Sequence, residues 1–327
     1  MANEDKRATL LARLQTAIEL EWSTIPPYMV AILSMKLTAN RQAANLIRGV
    51  MMEEMLHMAL VANVLNAVGG TVHIGSDNLP SYPRRFFKDR DFPVNLAPFS
   101  AANVETFMKI EEPETSVGAF YRSIVALLEE LDAAAPGTLF TGDPARQLYD
   151  DYYWGAGNQI IPVKDLDSAR QALAVVIDKG EGAGGHPPFT PEEPLRMAHY
   201  YRFAEIHYQR LYLPSDDPAK PPTGPELPVD YSQVHPIKVN PRAADYAPGS
   251  KLARLNDAFN SRYTMMLRQL AQALTGSPQV LYTAIMNGMH GSTSTALDMM
   301  TTPIAGHPEG LTGCPTFDWL DKASAQP

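Results

Sequence analysis

Glu54-Met55-Leu56-His57 lies inside an unbroken apolar helical pattern, and it constrains this chain more than any other feature. Ile47, Val50, Glu54, His57, Val61, Val64 and Val68 follow one another in steps of three and four, so one helix face carries all seven. A carboxylate and an imidazole therefore interrupt a stripe otherwise suited to a core. The preceding segment does the same: Leu10, Leu14, Glu21, Tyr28 and Ile32 share a helical phase, whereas Glu19 falls with Gln15, Thr16 and Ser23 on a wetter side. An ionised carboxylate facing a core is costly unless it is paired or bound to metal. Iron or manganese in a helical bundle supplies such a partner, because Glu on one helix and Glu-x-x-His on the next form half of the carboxylate dimetal ligand set.

The bland alternative is that Glu-x-x-His arises by chance and that a lone inward histidine is a hydrogen-bonded core residue. Glu21 in register weighs against it. Glu53 has an apolar face of its own, made by Leu46, Gly49, Leu56 and Leu60. The three-residue spacing to His57 favours Glu54 as the ligand, and the sequence leaves open whether Glu53 stands behind it.

The 327 residues exceed one typical domain and fit either one large core or a core with an appendage. Hydrophobic residues at 45% and charged residues at 19% make disorder an unsuitable default. The net charge of −9, with no Lys/Arg block, argues against a nucleic-acid partner. Cys314 is the only cysteine, which forbids an intrachain disulfide and any cysteine-based zinc or iron–sulfur site; a reducing cytoplasm is the expected compartment. The charged start, Met1 to Arg7, does not resemble a secretory leader, and no apolar run reaches about eighteen residues, so no membrane span is expected.

Along the chain, the pattern predicts a first helix over about 6–37 in which Pro26 and Pro27 each remove a backbone donor. Either the helix ends there and a second short one follows, or a distortion opens a pocket beside Glu21. A second helix over about 40–68 stops at Gly69-Gly70. Residues 71–100 read as a long irregular excursion with short strands at most, a length that suits a lid or substrate loop. Val117 to Leu131 mark a third helix, with Glu129 and Glu130 off its stripe. Residues 139–163 look irregular, and Asp167 or Ser168 is the expected cap of a helix through Asp178. The glycines at 180–185 lack the spacing of a phosphate loop. A helix over 191–213 carries His199, Glu205 and His207. The nine prolines of 214–249 suggest a tether wrapped over the bundle, and helices resume at 252–274 and 278–300, the last rich in core-filling Met.

A complete dimetal bundle needs a second Glu-x-x-His, and this chain has none. Glu181, His199 and Glu205 are the nearest substitutes. His199 and Glu205 stand six residues apart, about 240° around a straight helix, so both cannot point fully inward. His207 is a third possibility.

The run Leu20-Glu21-Trp22-Ser23-Thr24-Ile25-Pro26-Pro27-Tyr28 followed by Glu53-Glu54-Met55-Leu56-His57 resembles the ferritin-like domain of the iminophenylpyruvate dimer synthase family. Gly180-Glu181-Gly182-Ala183, the stretch from His199 to Ile206 and the end around Gly313-Cys314-Pro315-Thr316-Phe317 extend the resemblance over most of the chain. It implies a mainly α fold: a ferritin-like helical bundle with long irregular insertions over 1–213, a proline-rich connecting segment over 214–250, and a C-terminal helical extension over 251–327 packed on the bundle. Members of that family include chromopyrrolate-type synthases, which oxidatively couple two amino-acid-derived imines. The implied metal ligands are Glu21, Glu54, His57, Glu181 and His199, with Glu205 as a further candidate. Arg196 departs from the pattern, standing where a second Glu-x-x-His would place its glutamate.

The leading expectation is an oxidoreductase of specialised metabolism that uses one or two non-haem iron ions, with manganese as the alternative, on a small organic substrate and dioxygen. Haem in longer family members keeps that group open, and so does assembly into a homo-oligomer. Trp22, Tyr28 and the tyrosines from 200 to 212 either shape an aromatic pocket or fill the core. A metal-storage or redox-protection protein is the second expectation, disfavoured by the long insertions. The third is a non-catalytic scaffold, kept open by the missing second motif.

Overall fold

Pro26 and Pro27 do not end the first helix. In the computed structural model, which describes residues 3–86, 92–112, 116–150, 160–178 and 197–321, α1 (Asn3–Ser34) runs through both. Pro27 cannot donate to the carbonyl of Ser23, four residues back, and the hydroxyl of Tyr82 donates to that oxygen instead at 2.7 Å. A loop residue thus completes the helix where its own backbone fails, and of the two alternatives at Pro26-Pro27 the helix end is excluded.

α2 (Leu37–Ala67) follows after two residues and returns antiparallel, so that Arg7 near the start of α1 donates to Val68 O at the end of α2. Asn40 is non-helical, and its amide bonds the backbone of Asp230 and Gln233. At the other end Gly69 takes φ +78°; its N–H donates to Asn66 O and that of Gly70 to Leu65 O, a left-handed termination suited to glycine. This stop is where the sequence places it.

A helix unforeseen in the sequence, α3 (Ala101–Ile110), is capped by Ser100, whose hydroxyl accepts from Asn103 N. α4 (Ser116–Ala134) matches the third expected helix. In α5 (Leu166–Val176) the cap is Asp165, not Asp167 or Ser168: its carboxylate accepts from Ser168 N while the Ser168 hydroxyl accepts from Asp165 N. α6 (His199–Tyr208) is shorter than expected, since Ala198 is extended and Gln209 turns left-handed at φ +55°. The glycines at 180–185, residues 151–159 within the irregular stretch, and residues 191–196 lie outside the described residues.

Residues 214–249 form no helix beyond one short turn, Ala243–Asp245, and lie on the bundle. His235 N donates to Ser34 O, Lys36 N donates to Gln233 O, and Leu227, Ile237 and Tyr246 are buried. The chain ends in α7 (Lys251–Leu274), α8 (Leu281–Thr283), a π-helical stretch (Ala284–His290) and α9 (Gly291–Met300). The segment from Gly313 to Phe317 then returns along α7, where Asn256 and Asn260 hold Thr316. Apolar residues of α1 and α2, such as Leu14 and Leu56, share one contiguous core with Phe107, Leu128, Phe259 and Met299. Among the described residues there are isolated bridges but no strand, and no helix is long and apolar enough to cross a membrane.

Candidate metal centre

Two buried groups of donor atoms meet at Glu54. Glu21, Glu54 and His57 form one; Glu54, Glu111 and His199 form the other, and within each group the donor atoms lie within 4.8 Å of one another. α1 supplies Glu21, α2 supplies Glu54 and His57, the end of α3 supplies Glu111, and the first residue of α6 is His199. None of the five is more than 3% exposed.

His57 Nδ1 stands 3.6 Å from both Glu21 Oε2 and Glu54 Oε2, beyond hydrogen-bonding reach. His199 Nδ1 lies 2.8 Å from Glu54 Oε1 and 3.4 Å from Glu111 Oε2. The two imidazoles stack with centroids 5.3 Å apart. Both nitrogens of His57 and Nδ1 of His199 are buried without a hydrogen-bond partner. Buried polar atoms are nearly always satisfied, so the unsatisfied Nδ1 atoms of His57 and His199, each facing carboxylate oxygens, suit the binding of a cation. The mixed carboxylate and imidazole set suits iron or manganese.

The surroundings orient these donors. Tyr121 donates to Glu21 Oε1, and Tyr28 donates to Glu111 Oε1. Behind His199, Nε2 contacts Glu53 Oε2 at 3.0 Å, and Arg202 Nη2 donates to both Glu53 oxygens at 2.9 and 3.0 Å. With Nε2–H given to Glu53, the Nδ1 lone pair of His199 faces Glu54 and Glu111, as second partners of metal-bound histidines commonly arrange. Burial raises the Glu53 pKa, but His199 and Arg202 outweigh it and bring it to about 2.

The carboxylates of the first group titrate unlike each other. Burial, with the charges of Glu111 and Glu21, pushes Glu54 up to about 8. Burial also pushes Glu21 up, yet the close Glu54 carboxyl, the nearby His57 imidazole with its charge, and the Tyr121 hydrogen bond outweigh it and hold Glu21 below its ordinary value. His57 is lowered by burial and raised more by Glu21 and Glu54, to about 9. His199 is likewise raised, Glu54, Glu111 and Glu53 outweighing its desolvation.

Of the residues singled out in the sequence, Glu21, Glu54, His57 and His199 come together. Glu205 does not join them: its buried carboxylate accepts from Tyr212 N at 2.7 Å, beside the tyrosines of α6. His199 and Glu205 are both buried but point into different surroundings, as their 240° separation requires. Glu181 and Arg196 lie outside the described residues. His207 is half-buried and nearest to Glu105, at 3.9 Å. Glu19 stays on the wet side, accepting from Gln15 and Asn78. Glu111 is the donor that sequence reasoning missed. Its signal was present, since Val104, Phe107 and Glu111 are spaced three and four apart, the same interruption of a stripe that marked Glu54.

A helical bundle with inward carboxylates and imidazoles on several helices defines a carboxylate-rich metal-site architecture. A family model described as Ferritin-like matches residues 14–208, and the chain belongs to that family. Two curated relatives agree with the motif resemblance. The dichlorochromopyrrolate synthase of Lentzea aerocolonigenes is 24% identical over 85% of this chain and 30% of its own length. The 2-imino-3-(indol-3-yl)propanoate dimerase of Chromobacterium violaceum is 25% identical over 94% of this chain and 34% of its own length. The chain thus spans about a third of each relative. A solved ferritin-like protein from Caulobacter vibrioides shares the fold, with a TM-score of 0.60 at 20% identity over 94% of this chain and 97% of that one.

Proposed function

We propose that this chain is a metal-dependent oxidoreductase that holds one or two non-haem iron ions between α1, α2, α3 and α6 and oxidises a small organic substrate with dioxygen. The observation that carries this reading is the pair of donor groups sharing Glu54, with unsatisfied imidazole nitrogens turned toward the carboxylates. Glu21, Glu54, His57, Glu111 and His199 are the ligands; Glu181 is a further candidate. Bound there, iron would supply one-electron redox steps and Lewis acidity. The protein's own part is positional: Glu53 fixes the His199 ring, Tyr121 and Tyr28 hold one oxygen each of Glu21 and Glu111, and burial excludes bulk water. The name of the Chromobacterium violaceum relative, a 2-imino-3-(indol-3-yl)propanoate dimerase, points to an imine derived from an amino acid as the substrate class.

The test loads the purified chain with Fe(II) without air, records an absorption spectrum to detect any haem, and follows oxygen uptake with and without imines generated from aromatic amino acids. Sustained uptake that needs both iron and an imine is the expected result. Uptake that stops once the iron is oxidised, across all substrates, would replace this reading with storage or protection. No oxygen uptake, together with no rise in melting temperature on adding Fe(II) or Mn(II), would leave a scaffold, because a ion that binds only the folded state must stabilise it.

A further inference from the structure

On the side of α1 and α2 that turns toward the C-terminal helices, a cavity of about 70 Å³ separates them from α7, the π-helical stretch and α9. A single water needs about 10–15 Å³ measured this way, so the space is several times larger than one solvent molecule. Trp22, Met55 and Met58 wall one side; Tyr263, Met266 and Phe317 wall the other. Trp22 and Met55 each follow a carboxylate of the metal centre by one position, which turns them about 100° away from it around their helices.

Among the described residues no Asp, Glu, Lys, Arg or His lines the cavity. The indole N–H of Trp22 is already used, donating to the Tyr263 hydroxyl at 3.1 Å. One polar atom is left over. Ser292, 3% exposed, lines the cavity, and its Oγ has no hydrogen-bond partner. A helical serine commonly donates to the carbonyl four residues back, here that of Gly288, but Gly291 N–H already takes that oxygen. The π-helical stretch that precedes Ser292 also carries Ala284, Ile285, Gly288 and Met289 along the cavity wall, and such stretches are frequent at functional sites. Gly288 closes the wall against α7: a Cβ there would stand 2.3 Å from Met266 Cγ.

We propose that this cavity binds a neutral aromatic molecule of one or two rings, held by one hydrogen bond to Ser292 Oγ. Aromatic and methionine walls match the faces and edges of a planar ring. A carboxylate or ammonium would be desolvated here without a counter-charge, so the ligand is uncharged. It is therefore a different molecule from an amino-acid-derived imine with its carboxylate, and the inference stands apart from the metal reading.

Two probes that differ only by a hydroxyl test it: 2-naphthol and naphthalene, titrated into the full chain by calorimetry or by fluorescence. Both should bind one per chain, 2-naphthol more tightly. Ala59→Leu, which fills the space from α2, should abolish binding of both and leave metal content unchanged. Ser292→Ala should weaken 2-naphthol by about tenfold and leave naphthalene unchanged, since only the hydroxyl uses the serine. Absence of binding, binding that survives Ala59→Leu at full affinity, or an equal loss of both probes in Ser292→Ala would each overturn the proposal. If Ala59→Leu does not fold, the two probes on Ser292→Ala decide alone.

Discussion

The pair α1–α2 buries two unlike faces. On one, Glu21, Glu54 and His57 meet Glu111 and His199 in a cluster of oxygens and nitrogens suited to a cation. On the other, Trp22, Met55 and Met58 meet an apolar space that holds one leftover hydroxyl. The first face is a dense polar cluster and the second a loosely filled apolar one. Adjacent residues on the same helices contribute to both, so helical phase, not local composition, decides which ligand chemistry each face can accept.

The largest expected effect breaks one face and spares the other. Glu54→Ala combined with His57→Ala removes the carboxylate common to both donor groups and one imidazole, and should reduce iron from about one to two ions per chain to none, measured by elemental analysis after reconstitution. Glu19→Ala should leave the metal content intact, because that side chain bonds Gln15 and Asn78 on the wet side. Full metal occupancy in the double variant would remove the ligand assignment; loss of metal in Glu19→Ala would show that the phase of α1 has been misread.

A second variant tests what holds the polar face together. Arg202→Met takes the guanidinium from Glu53 and leaves its Oε1 buried without the donor it has now, a loss of about 1–3 kcal/mol. Denaturant unfolding of the metal-free chain should register that loss. Adding Glu53→Met to Arg202→Met should recover a large part of it, since an apolar pair leaves no stranded charge. A single variant as stable as the wild type would mean that water reaches Glu53 and that the polar face is far less dry than its burial implies.

How much of this contrast the sequence revealed follows from its physical origin. The polar face was legible because charges at steps of three and four in an apolar stripe are costly without a partner, and Glu21, Glu54 and His57 all lie in long helices where that period is unmistakable. Glu111 escaped because α3 is only ten residues long and the carboxylate sits just past its end, in the acidic run Glu111-Glu112-Pro113-Glu114 that reads as solvated. The continuity of α1 through Pro26-Pro27 depends on Tyr82, more than fifty residues away, and no local pattern reveals that contact. The cavity depends on how α1 and α2 fit against residues of α7 and the π-helical stretch that follow by some two hundred positions; spaces between side chains leave no period in a sequence.

The smallest effect sharpens the comparison within the polar side itself, where Arg202 lies between two buried glutamates of opposite behaviour. Glu53, which it contacts directly, sits at about 2; Glu205, which accepts from the Tyr212 backbone N–H, is raised by burial from 4.5 to about 7 against the weaker pull of that N–H and of Arg202. A raised carboxyl keeps in the folded state a proton that the unfolded chain releases. Its contribution is therefore fully present below pH 4.5, is lost as pH rises through 7, and leaves a constant penalty above that. Glu205→Gln keeps an oxygen for Tyr212 N and removes the titration. The variant should match the wild type near pH 4.5 and exceed it by about 1–2 kcal/mol at pH 8, read as the difference in urea midpoints at the two values. Parallel pH profiles for the two proteins would mean that Glu205 is ionised in the fold at no cost, and that burial without a cation does not distinguish it from Glu53.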